Sequence, residues 1–214
     1  SSSDSGSATK LPPTPRVTGL LLDYTDTLQS AVPVSILGSS ISGRTTIDGR
    51  VLLGAAPASG ARVLRVGDSV DTPTLLIPYT ATNDLYLDRP VHLPHLSSGI
   101  QSSVPTPLTG NTTLTSTNLP GVSLALTTGT TITGPYAGSL AVVAVSPSRL
   151  PASIGAGIGE PRAAYLVEPS GVTFSNSAVL TVPRLDSGAG PFDAYRVSLS
   201  TGQWVLAESN VTTT

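Results

Sequence analysis

The sequence predicts an all-β protein built as two β-sandwich units in tandem, on three observations. Apolar residues alternate at period 2 in many short runs, as in residues 31–37, where Val32, Val34 and Ile36 share one face. The runs are separated by Gly, Pro, Asp and Ser, which supply the fixed or positive φ that turns need. No apolar pattern of helical period and length crosses the first unit. At 214 residues the chain has room for one large β-domain or two of about 100 residues each.

Composition narrows the function classes. Only 11% of residues are charged, 11 basic against 13 acidic, for a net charge of −2. A nucleic acid or an anionic membrane needs a concentrated basic face, so neither is expected as a partner. Cysteine is absent, which excludes a disulfide framework, a thiol nucleophile and a thiolate metal site. No apolar run approaches the roughly 18 residues of a membrane span. Methionine is absent even at position 1, as expected of a processed chain or a fragment. With the low charge and the Ser/Thr/Gly/Pro-rich composition, this predicts an extracellular or cell-surface location.

Residues 1–15 (SSSDSGSATKLPPTP) read as a flexible, then stiffer, tether, or as a pairing arm lying on a neighbouring subunit. Residues 16–97 form the first unit. Strands are expected at 17–23, 31–37, 61–66, 75–78, 85–87 and 91–94. A hairpin over 45–53 is expected around Asp48-Gly49, the strongest short hairpin signal a sequence offers. Residues 57–60 make the next turn. Residues 98–114, rich in Ser, Thr, Pro and Gly, read as a linker. Residues 115–209 form the second unit, with an alternating strand at 122–127 and a nearly continuous apolar one at 139–145. After a Gly-rich loop at 154–161 come strands at 164–167, at 172–174 running into 178–182, at 194–199 and at 203–207. Turns at Pro169-Ser170-Gly171 and Ser200-Thr201-Gly202 separate them, and 210–214 is a tail.

The first unit carries V-x-G-x-L-x-D at 17–23, x-V-P-V-x-I-x-G at 31–38, T-T-x-D-G-x-x-x-L at 45–53 and P-x-x-G-x-x-x-L-x-V at 57–66. These resemble the carboxypeptidase-regulatory-like domain. The resemblance implies a small transthyretin-like sandwich of bacterial surface and secreted proteins, with no catalytic residues to carry over. In the second unit, 165–174 (YLVEPSGVTF), 178–183, Tyr195 and 201–204 (TGQW) resemble a ZU5-like β-domain. The expected fold is thus all-β, two Ig-like/transthyretin-like sandwiches in tandem. This order also resembles the N-terminal portions of large bacterial surface proteins, some bearing RHS/YD repeats, although no YD repeat is present.

Each stretch with possible chemistry has a plainer reading. Gly67-Asp68-Ser69 resembles the Gly-Asp-Ser block of SGNH hydrolases. That chemistry needs a histidine to take the serine proton, and His92 and His95 are the only ones; the plain reading is a turn. His92 and His95 could hold a transition metal if the chain bends at Pro94 and a carboxylate, Asp88 being nearest, completes the site. Otherwise they are two surface histidines. Asp23, Asp26, Asp48, Asp68, Asp71, Asp84 and Asp88 could bind calcium if several meet at one end of the sandwich, yet no spacing matches a dedicated calcium loop. The Gly155–Gly159 run lacks the strand-to-helix context of a phosphate loop. Ser7-x-x-Lys10 lies in the tether. Asn111 and Asn210 are formal glycosylation acceptors, and Tyr165, Phe174, Tyr195 and Trp204 are expected in the core.

No catalytic, cofactor-binding or metal residue is therefore expected, and no cofactor apart from the open case of calcium. The chain reads as a non-catalytic structural building block of an extracellular or cell-surface assembly, such as a filament. It would self-associate through β-edges or through arms at 1–15 or 210–214, or pack on neighbouring domains of a larger protein. With Lys10 as the only lysine, its edges are weakly guarded. The alternative is an adhesion module that binds carbohydrate or protein.

Overall fold

A computed structural model describes residues 16–54, 60–80, 85–87, 89–150, 158–183 and 191–211. The fold is all-β, its only helical pieces among these residues being short 3-10 turns at Leu96–Ser98 and Pro147–Arg149.

The first half runs β1 (Val17–Leu22), β2 (Pro33–Ile36), β3 (Ser42–Arg44), β4 (Arg50–Leu53), β5 (Ala61–Val66), β6 (Leu75–Thr80), β7 (Leu85–Tyr86) and β8 (Val91–His92). One sheet has the order β4-β1-β7, with β8 also on β1; the facing sheet has the order β3-β2-β5-β6. Period-2 alternation sends Val34 and Ile36 from β2, and Val51 and Leu53 from β4, into one core with Val17, Leu21, Leu64, Val66 and Ile77.

The Asp48-Gly49 turn forms, but the hairpin expected over 45–53 does not. Gly49 has φ +70 and its N–H donates to Thr46 O at 2.9 Å. A Cβ there would lie 2.8 Å from Leu21 O, so glycine is required twice over. Yet β3 pairs with β2 while β4 pairs with β1 in the facing sheet. Buried Thr45 lies at the crossing. Its hydroxyl accepts the Val32 N–H at 3.0 Å and donates to Gln29 O at 2.6 Å, holding the chain to the 29–32 segment just before the turn.

The second half runs β9 (Ile100–Ser103), β10 (Thr112–Leu114), β11 (Ser123–Leu126), β12 (Ile132–Thr133), β13 (Ser139–Val145), β14 (Ala164–Glu168), β15 (Thr173–Phe174), β16 (Val179–Thr181), β17 (Phe192–Val197) and β18 (Trp204–Val211). Its sheets have the orders β10-β11-β16 and β14-β13-β9, with β12-β15 and β17-β18 as two-stranded pairs. Ile100, Leu114, Leu124, Leu126, Leu140 and Val142 belong to its core.

Two more expectations change here. Residues 98–114 are not a plain linker, because they hold β9 and β10, which pair with β13 and β11. Ser and Thr suit a strand with one solvated face, and in β9 Ile100 alone, fully buried, supplies the apolar side. Residues 172–182 do not run through as one strand. β15 pairs with β12 and β16 with β11, and Thr131 marks the break, donating to Ser175 Oγ and accepting the Ser175 N–H.

The expected continuous burial of 139–145 is present and has a structural cause. Leu140 and Val142 face the second core, while Ala141 and Val143 face a small cluster with Leu96 and Leu166. Leu166 also packs on the first core, so β13 and β14 lie between the two apolar clusters. Gly99 permits the close approach of β9: a Cβ there would meet Val142 O at 1.9 Å.

Candidate functional site

Tyr24 and Glu168 carry polar contacts between the halves. At one end of this seam the chain leaves β1 in a tight turn built on Asp23. Its Oδ1 accepts the Thr25 N–H (2.8 Å), the Thr25 hydroxyl (2.7 Å) and the Thr27 N–H (3.0 Å), and its Oδ2 pairs with His95 Nε2 at 3.0 Å. The Thr25 hydroxyl leads these contacts in holding the Asp23 carboxyl far below the ordinary carboxylate range, with the His95 bond and the backbone N–H groups adding to it against a partial desolvation. Asp26, at φ +61, pairs through Oδ1 with His92 Nε2 at 2.9 Å.

Tyr24 lies between these pairs and reaches the second half. Its hydroxyl accepts the Ser146 N–H at 2.9 Å, and its carbonyl accepts from Arg149 Nη1 at 3.2 Å. The Arg149 guanidinium sits 5.2 Å from the Tyr24 ring centre and 4.0 Å from Asp26 Oδ1. The cluster thus brings together His92, His95, Asp23 and Asp26, all singled out in the sequence. Each histidine is taken up by its own aspartate, and no group of three or more metal-ligating side chains forms among the described residues. The carboxylate expected to join the histidines, Asp88, lies outside the described residues, as do Asp84, Ser7, Lys10 and residues 155–157 of the Gly-rich loop.

Further along the seam a buried carboxylate closes the contact. Glu168, 2% exposed, ends β14 and accepts the Thr74 N–H at 2.7 Å on Oε1 and the Ser170 N–H at 2.9 Å on Oε2. Desolvation pushes its pKa up, while these donors, Ser69 and the Arg65 charge pull it back only in part. Ser69, the serine of the Gly-Asp-Ser stretch, belongs to this network. Its hydroxyl bonds to Thr74 Oγ1 at 2.5 Å and accepts the Ser170 N–H at 3.1 Å. Asp68 folds the adjoining turn by accepting the N–H groups of Val70, Asp71 and Thr72. The stretch is a turn that serves the seam.

Tyr24, Ser146, Arg149 and Glu168 were not legible as a group in the sequence, since their partners lie on average far away in the chain. Glu168 did leave one signal: it continues the Ala164, Leu166 face of β14, a charged residue at an inward period-2 position. Among the aromatics, Tyr165 and Phe174 pack on the second core as expected. Tyr195 and Trp204 do not; they join no core cluster found among the described residues.

Both lie on the β17–β18 hairpin, where Tyr195 faces Leu206 and Val197 faces Trp204. The tip of the hairpin is anchored: Gly202, at φ +66, is packed so that a Cβ would lie 3.3 Å from Val63 Cγ1 and 3.2 Å from Pro78 Cδ. Its strands pair only with each other among the described residues. The expected tail at 210–214 starts inside this element, because Asn210 and Val211 belong to β18. No helix among the described residues is long and apolar enough to cross a membrane. No protein-family model, curated protein or solved structure matches this chain.

Proposed function

We propose that the protein is a non-catalytic structural building block of an extracellular or cell-surface assembly, associating with its own kind through exposed β-structure. The β17–β18 hairpin carries this reading. A two-stranded hairpin is at best marginally stable in water alone, and this one leaves Leu199, Val205 and Leu206 at 52%, 39% and 51% exposure. Toward its tip the facing pairs Tyr195–Leu206 and Val197–Trp204 are uncharged. The β16 edge adds exposed Val179 and Leu180, so apolar exposure concentrates in the last third of the described chain. Contact between a hairpin and a different surface on the next copy is heterologous, and repeats into a ring or a filament. The resemblance to bacterial surface modules and the low charge support the same reading.

Sedimentation velocity over a hundredfold concentration range tests it. Wild type is expected to move from monomer to larger species, and Leu206→Glu to remain monomeric at every concentration with unchanged circular dichroism. Monomer throughout for wild type, or identical association by the variant, removes the proposal.

A further inference from the structure

Asn111-Thr112-Thr113, an Asn-x-Thr stretch that the association leaves unused, leads into β10 with two of its groups on the solvent side. Leu114 is buried opposite Leu124, so period 2 sends Thr113, opposite Ala125, outward. Asn111 stands two positions before Thr113, at the same phase of the alternation, and both are exposed. An asparagine amide and the hydroxyl two residues on are thus presented together. Thr112, between them, turns its hydroxyl back to Gly110 O at 3.1 Å.

The Asn111 side chain is held by its oxygen. Its Oδ1 accepts the Thr128 N–H at 2.9 Å and the Thr128 hydroxyl at 3.1 Å, and neither bond uses Nδ2. Linking Nδ2 to a sugar replaces one of its two hydrogens and keeps the carbonyl oxygen, so both bonds to Thr128 survive the modification. There is room on either side. A Cβ built at Gly110 or at Gly129, the chain neighbours of Asn111 and Thr128, would meet nothing within 4 Å beyond its own neighbours. Asn210-Val211-Thr212 lacks this arrangement: Asn210 has φ +56, which is not extended backbone, and Thr212 lies outside the described residues.

We propose that Asn111 is the acceptor of an N-linked glycan, donated by an oligosaccharide carried on a polyprenyl diphosphate. Nδ2 bonds to the anomeric carbon of the first sugar as the bond from that carbon to the diphosphate oxygen breaks. The diphosphate leaves with the bonding pair, the proton shed by Nδ2 passes to water, and nothing is oxidised or reduced. Among the described residues β10 ends its sheet, and it brings no Lys, Pro or charge to guard that edge. A bulky, hydrated glycan at its entrance screens it, while β16, at the opposite end of the same sheet, stays open for association. The assignment rests on the extracellular reading above, since such transfer takes place on exported chains.

The full chain is expressed behind a secretion signal in a eukaryotic secretory host, and intact mass and peptide maps are read on microsomal and secreted protein together. Wild type is expected to carry a single glycan that peptide-N-glycosidase releases, leaving residue 111 deamidated. Asn111→Gln and Thr113→Ala are each expected to lose it, and Thr113→Ser and Asn210→Gln to keep it. Thr113→Ala leaves the Asn111–Thr128 bonds in place, so its loss of the glycan with unchanged circular dichroism is not a folding defect. The proposal is overturned if wild type is unmodified, if the glycan persists in Asn111→Gln, or if Thr113→Ala carries it at wild-type occupancy. The host supplies donor and transferase wherever the protein works natively. A failed site is thereby told apart from a failed extracellular reading, which fractionation of native material tests.

Discussion

Replacing Glu168 with alanine is expected to loosen the seam between the halves. The carboxylate accepts the Thr74 N–H and the Ser170 N–H, and it is 2% exposed, so its removal leaves buried donors without water to take its place. Each buried donor left unpaired costs about 1–3 kcal/mol. The Ser170 N–H retains Ser69 Oγ as a second acceptor, so it falls at the low end of that range. Against this, Glu168→Ala ends the burial of a carboxyl group, which offsets part of the loss. The net expectation is about 2 kcal/mol of destabilisation at neutral pH. Glu168→Gln keeps an acceptor for Thr74 and drops the charge, and it should lose no more than about 1 kcal/mol. The pH dependence separates the two causes. Because burial raises the Glu168 pKa above its ordinary 4.5, the folded state binds the proton more tightly than the unfolded chain. Its contribution is fully present below 4.5 and is lost as pH rises through the raised folded value. Urea unfolding of wild type should therefore show a declining contribution above pH 4.5 that Glu168→Gln lacks. Equal stability of Glu168→Ala and wild type, or equal pH slopes for wild type and Glu168→Gln, would refute this account of the seam.

Three further outcomes follow from the same geometry. Asp23 has the opposite linkage: its pKa is lowered by the Thr25 hydroxyl first and then by His95 and backbone donors, so its stabilisation is present above the ordinary 3.8 and fades as pH falls below it. Acid titration of wild type against Asp23→Asn by fluorescence should show the variant losing less stability below pH 3.8. Gly67→Ala should fail to express in soluble form or lose several kcal/mol, because a Cβ would sit 1.9 Å from Pro73 O at a φ of +94; a near-wild-type melting temperature would contradict the local geometry. Val142→Ala, at a fully buried site in the second core, should cost about 1–3 kcal/mol in urea unfolding, whereas Val70→Ala, 73% exposed, should be neutral.

The fold class was legible because alternation is a local property. Val32, Val34 and Ile36 reveal a strand with no knowledge of its neighbour, and 139–145 reveals one covered on both faces. Pairing was less legible. The Asp48-Gly49 turn forms as its chemistry implies, but the pairing of β4 with β1 rests on contacts distant in sequence, such as Leu21 N–H to Gly49 O, which no local signal carries. The strand β9 hid inside a Ser/Thr-rich stretch because its buried residue is Ile100 and its partner β13 lies 36 or more positions on. For the seam, His92 and His95 stood out by rarity, and their aspartates were among the scattered candidates. Arg149, Ser146 and Glu168 could not be joined to them from the sequence, as only the docking of the halves brings those groups together.

Amide hydrogen exchange read at several protein concentrations reports on association through the hairpin. Protection across Trp204–Val211 is expected to rise with concentration, while that of buried Ser139–Val145 stays constant. Protection of Trp204–Val211 that is the same in dilute and concentrated protein would contradict it.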